Sequence, residues 1–156
     1  ANYPIAITDI APRGAHTRSD MDALGQFIWP VNYGKVDPHA IKYQSHRQGI
    51  SISAELGEPI VAVNDGKVIY SDNQIRGYGN VIVIQHNDEL VSVYANNQLN
   101  YVNVGDQVRK GQLIADVGEL FNSNDAGLYF EMRFNGQAED PFNYLAQNSA
   151  ASRNSS

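Results

Sequence analysis

The residues best equipped for chemistry in this chain are four histidines, seventeen acidic side chains and nine tyrosines; cysteine is absent, which excludes disulfides and thiolate-held metal ions. A hydrolytic metal ion needs several imidazole or carboxylate ligands converging on one point, with an open position for the water it acidifies. The histidines do not offer that convergence. His16 and His39 lie in loop-like sequence, and His86 ends an apolar run beside a turn, where a structural hydrogen bond suits it. His46 has no second imidazole or carboxylate in register. Asp65, Asp106 and Asp140 each stand next to Gly or Pro and read as turn formers. Tyr and Arg, the residue types most favoured as binding anchors, are the richer vein.

The elements that must position these residues are strands. Between about residues 27 and 146, short apolar runs rich in Val, Ile and Tyr alternate with turn residues, the pattern of packed antiparallel strands in an all-β domain. The runs predict strands over residues 50–53, 59–63, 67–71, 80–86, 90–95, 113–117 and 128–134. Asn64-Asp65-Gly66 and Asn87-Asp88-Glu89 supply the reversals. Val81 to Ile84 is apolar without alternation, so its strand should be covered on both faces. Pro141 suits the first position of a short C-terminal helix. Residues 1–26 read as a linker or N-terminal arm and residues 147–156 as a frayed tail, leaving one domain in a chain of 156 residues. A net charge of -6 with scattered Lys and Arg excludes a nucleic-acid surface, and no apolar run approaches the roughly 20 residues that span a bilayer.

Trp29-Pro30-Val31, Gly49-Ile50, Gly57 with Pro59, Asp65-Gly66, Gly77-Tyr78-Gly79-Asn80, His86, Tyr94-Ala95, Gly105-Asp106, Lys110-Gly111-Gln112, Phe130-Glu131 and Asp140-Pro141 follow one another in a telling order. In that order and spacing the chain resembles the lysostaphin/LytM-type zinc endopeptidase domain, which implies an antiparallel β-sheet sandwich with a central groove. The resemblance places the family's three ligand positions on Arg47, Ser51 and Tyr129, and its two assisting histidines on Gly127 and Asn96. Arg47 is a fixed cation, Gly127 has no side chain, and Ser51 and Asn96 are feeble ligands. The expectation is therefore a domain with no metal, no cofactor and no hydrolytic activity of its own.

Among family members without zinc ligands, Tyr94-Ala95-Asn96-Asn97-Gln98 and Leu128-Tyr129-Phe130-Glu131-Met132-Arg133 are most similar to the murein hydrolase activators of the EnvC type, with the NlpD type second. That similarity implies a periplasmic setting in a Gram-negative bacterium. The implied partner is a cell-wall amidase that splits septal peptidoglycan in cell division, with peptidoglycan itself as a second candidate, and an upstream coiled coil and regulatory helix belong to the full-length type. The implied docking groove carries Arg47, Gln48, Ser51, Tyr78, Tyr94, Asn96, Tyr129 and Arg133; alternatively the tyrosines pack the sheet. Rival readings are a peptidoglycan-binding module and an active zinc endopeptidase. A biotinyl or lipoyl carrier is a third, suggested by residues 104–112, but the chain lacks a modifiable Lys in an exposed hairpin.

Overall fold

The computed structural model describes residues 5–10, 12, 26–32, the backbone of 41–43, and 49–146. The β-branched runs pair into one antiparallel sheet of ten strands. They are β1 (Ile41–Tyr43), β2 (Ile50–Ser53), β3 (Pro59–Val61), β4 (Gly66–Asp72), β5 (Asn80–Gln85), β6 (Leu90–Asn100), β7 (Gln107–Val108), β8 (Leu113–Glu119), β9 (Ala126–Phe134) and β10 (Gln137–Glu139). All seven strands expected from the sequence are present with shifted ends, and the additions β1, β7 and β10 are two or three residues long. Hydrogen-bonded neighbours run β1-β2-β9-β8-β6-β5-β4-β7, with β3 on β8 and β10 on β9. The sheet branches on the long strand β6: β9 lies beside Leu90 to Ala95 and β8 beside Asn97 to Asn100. The two halves of the expected sandwich are thus joined through one hydrogen-bonded network.

Because successive strand side chains point to opposite faces, the central strands feed two separate cores. Ile50, Ile52, Ile82, Ile84, Tyr94, Leu128, Phe130 and Met132 join Phe27, Trp29 and Leu145 in the larger one. Val81, Val83, Val91, Val93, Ala95 and Tyr129 join Tyr70, Ile75 and Tyr78 in the other. Val81 to Ile84 are all fully buried, two in each core, which is why that run shows no alternation.

Part of the N-terminal arm packs on the smaller core. Ile5 bridges Ile75, and the one-turn helix α1 (Ile7–Ile10) places Ile7 and Ile10 three apart on one face; all three isoleucines pack there. The helix expected after Pro141 is a 3-10 turn, Pro141–Asn143, whose Asp140 carboxylate accepts from Phe142 N at 3.0 Å. Just beyond it, Trp29 Nε1 donates to Ala146 O at 2.8 Å, so the Trp-Pro segment and the end of the sheet close on each other.

Candidate functional site

Alternation along β9 sends Leu128, Phe130 and Met132 to the larger core and leaves Tyr129, Glu131 and Arg133 together on the opposite face. Glu131 is fully buried. A buried carboxylate is costly unless it is paired and hydrogen-bonded, and both of its oxygens are engaged. Oε2 accepts from the Tyr78 and Tyr129 hydroxyls, each at 2.6 Å, and Oε1 accepts from Arg133 Nε at 2.6 Å. Arg133 also donates through Nη1 to Gly136 O. The Tyr129 hydroxyl in turn accepts from Gly49 N at 3.1 Å, which ties β9 to the residue preceding β2. The Tyr78 and Tyr129 rings meet edge to face with centroids 5.7 Å apart.

Electrostatics agree with this geometry. Burial, and next to it the charge of Glu131, push the Tyr78 hydroxyl pKa well up, so it remains a donor. Burial alone would weaken the Arg133 charge, but the attraction and hydrogen bond of Glu131 outweigh it and raise the guanidinium pKa.

Of the residues expected at the groove, Tyr78, Tyr129 and Arg133 are brought together on Glu131, and Ser51 lies directly across the strand pair from Tyr129. They are buried, however, with Tyr129 only 1% exposed, so they do not present rings to solvent. Tyr94 does not belong to this surface. It points into the larger core, where its hydroxyl accepts from Val63 N at 3.0 Å and shares a hydrogen bond with Ser92 at 2.7 Å. Asn96 sits at the groove, and Arg47 and Gln48 lie outside the described residues. Sequence reasoning used Glu131 only as a landmark and missed its role; an acid flanked two residues away on each side by Tyr and Arg was the available signal.

A cavity of about 710 Å³ is walled by residues near 73–80, 96–98 and 118–122 together with Leu56; Gly77 and Gly79, which flank Tyr78, line it, whereas Tyr129, Glu131 and Arg133 do not. Its lining is rich in side-chain amides (Asn73, Asn80, Asn96, Asn97, Gln98 and Asn122), with Leu56 and Phe121 exposed at 59% and 53%. Asn96 links its parts: its amide donates to Gly77 O at 3.4 Å and its Oδ1 accepts from Phe121 N at 3.3 Å. The side-chain oxygen of Asn97 is buried in this wall without a hydrogen-bond partner among the described residues. Such an orphan acceptor carries a desolvation cost that a bound donor would relieve.

The model of peptidase family M23 matches residues 45–141. The chain belongs to that family. It is 38% identical over 138 residues to the lipoprotein YgeR of Escherichia coli K12, an alignment covering 87% of this chain and 54% of YgeR. It is 38% identical over 124 residues to the murein hydrolase activator NlpD of the same organism, covering 80% of this chain and 32% of NlpD. The chain therefore spans about half and about a third of the lengths of these two relatives. Among solved structures, the antimicrobial peptidase lysostaphin from Staphylococcus simulans superposes with a TM-score of 0.62 at 28% identity, over 71% of this chain and 48% of lysostaphin.

Zinc, the metal of the family's peptidases, does not fit the described residues. The Tyr129 proton is already committed to Glu131, whose own oxygens are filled by three donors. A side chain at Gly127 would start 2.7 Å from Ile52 O. His86, half-buried, is engaged elsewhere by Asp65 O and Ser92 Oγ. No group of three His, Cys, Asp or Glu side chains capable of holding a metal gathers among the described residues.

Proposed function

We propose that this domain is a non-hydrolytic activator, which docks through the amide-lined cavity onto a periplasmic cell-wall amidase of a Gram-negative bacterium and stimulates septal peptidoglycan splitting. The observation that carries this reading is chemical. Where the family's zinc peptidases carry ligands, this chain has Arg47, Ser51 and a Tyr129 hydroxyl held by Glu131, and where their assisting histidines stand it has Gly127 and Asn96, so the cleft lacks the means to acidify water. The name of the NlpD relative supports activation of a murein hydrolase, and the names of both relatives support an envelope location. Asn96, Leu56 and Phe121 are the contact residues; Ser51, Tyr78, Tyr129 and Arg133 act from the buried interior, and Arg47 and Gln48 belong to the segment running into Gly49. A coiled coil and a regulatory helix, as in the EnvC type, would belong to a longer protein around this domain.

The test is release of dye from labelled peptidoglycan by the amidase of the source organism, with and without the purified domain. The domain alone should release nothing and should raise amidase activity. Phe121→Ala combined with Leu56→Ala should weaken stimulation by about tenfold in half-saturating concentration, as expected for apolar anchors at an interface. Release of dye by the domain alone would refute the reading. A second reading, binding of peptidoglycan in the same cavity, is favoured by its amide lining and the orphan Asn97 oxygen. Capture of the domain by purified sacculi in the absence of amidase decides for it.

A further inference from the structure

We propose that Glu131 is a positioning residue whose single carboxylate couples the cavity wall around Gly77 and Gly79 to the entry of β2 through hydroxyl hydrogen bonds. The inference rests on the reading of the cavity as a docking site, and it goes further by assigning what sets that site's shape. The β2 side, which does not itself line the cavity, is reached through Tyr129: its hydroxyl, bonded to Oε2, accepts from Gly49 N, the residue leading into β2. There is no slack in this contact, because even a methyl group on Gly49 would fall 2.7 Å from the Tyr129 hydroxyl. The cavity wall is reached through Tyr78, bonded to the same oxygen. Tyr78 lies between Gly77 and Gly79, which line the cavity, and its carbonyl accepts from Asn96 N at 2.7 Å. Asn96 then holds Phe121 N at the rim. Arg133 sets its guanidinium 2.6 Å from Oε1, so the buried carboxylate is paired. A path of hydrogen bonds thus runs from Gly49 through Glu131 Oε2 and Tyr78 to Asn96 and Phe121, alongside the edge-to-face contact of the Tyr78 and Tyr129 rings.

The coupling can be read without any partner. In amide NMR spectra of the folded domain, Tyr129→Phe deletes one oxygen and keeps the ring. It should shift the resonances of Gly77, Gly79 and Asn96 on the cavity wall, while Val68 in the larger core stays in place. Tyr78→Phe should reciprocally shift Gly49. Glu131→Gln should move the cavity wall and the β2 entry at once, and adding Arg133→Met should restore the melting temperature by removing the stranded cation while leaving both displaced. In amidase titrations, Tyr78→Phe and Tyr129→Phe should each raise the half-saturating concentration by about tenfold at an unchanged plateau, the signature of a misplaced docking surface. Shifts confined to each variant's own side of Glu131 would overturn the coupling, whatever the amidase does. Crossing shifts with unaltered half-saturation would overturn the positioning role. Crossing shifts in a domain whose wild type stimulates no amidase would uphold the coupling and refute the proposed function.

Discussion

The position that decides between a peptidase and a docking domain at the level of single residues is Gly127. It pairs with Ser53 across β2 and with Gly118 across β8, so its backbone is enclosed on both sides. A Cβ there would meet Ile52 O at 2.7 Å and Leu120 Cδ1 at 3.0 Å. Returning the family's assisting imidazole to this site is therefore a packing problem before it is a chemical one. Gly127→His should lower stability by about 1–3 kcal/mol, the usual cost of forcing volume into a packed interior. The double variant with Tyr129→His should lose more, since it strips a donor from Glu131 and an acceptor from Gly49 N. Urea unfolding of both variants, with zinc present, checks this. A double variant as stable as the parent and carrying stoichiometric zinc would show that the cleft still accommodates the ion.

At the scale of elements, the sequence displays most strands because β-branched runs bounded by Gly, Asn and Asp are long enough to show a period. Strands β1, β7 and β10 escape, being two or three residues each and defined only by their neighbours. Strand parity separates what was legible at the site from what was not. Tyr78 and Tyr129 meet as expected, whereas Tyr94 shares the face of Ser92 on β6 and so faces the other core. The amide wall is illegible in sequence because it is assembled from four separate segments. Tyr94 instead ends a second polar chain that pins the turn before β4 to β6. Asp65 O can only accept, so His86 carries its proton on Nδ1 and Nε2 accepts from Ser92 Oγ, at 2.7 and 2.8 Å. Burial lowers the His86 pKa from 6.5 to about 4, with the Asp65 hydrogen bond opposing the shift. The fold favours the neutral ring, so its contribution is complete above pH 6.5 and is lost as the pH falls towards 4. Stability should decline across that window by at most about 1.4 kcal/mol per pH unit from this group. In His86→Gln the same melting series should be flatter; an unchanged slope would assign the acid sensitivity to other groups.

For the molecule as a whole, the consequence of the Glu131 cluster is that the sheet closes on internal charge. In a metal-dependent domain the ion contributes folding free energy, and stability rises with metal concentration by mass action. Here the strands that converge on the cleft, β2, β6 and β9, are joined by backbone ladders along their lengths and by the Tyr129, Glu131 and Arg133 side chains from within. Nothing in that set of bonds requires an external cation. The melting temperature of the domain should therefore be the same in a chelator as in micromolar zinc. A ligand at a hundred times its dissociation constant would add about 2.7 kcal/mol, or roughly 5–10 °C for a chain of this size, well above the resolution of calorimetry. A saturable upward shift of that order with zinc would mean that the histidines outside the described residues, or a rearranged cleft, assemble a ligand set after all. The activator reading would then give way to a metallopeptidase whose site forms only with its ion.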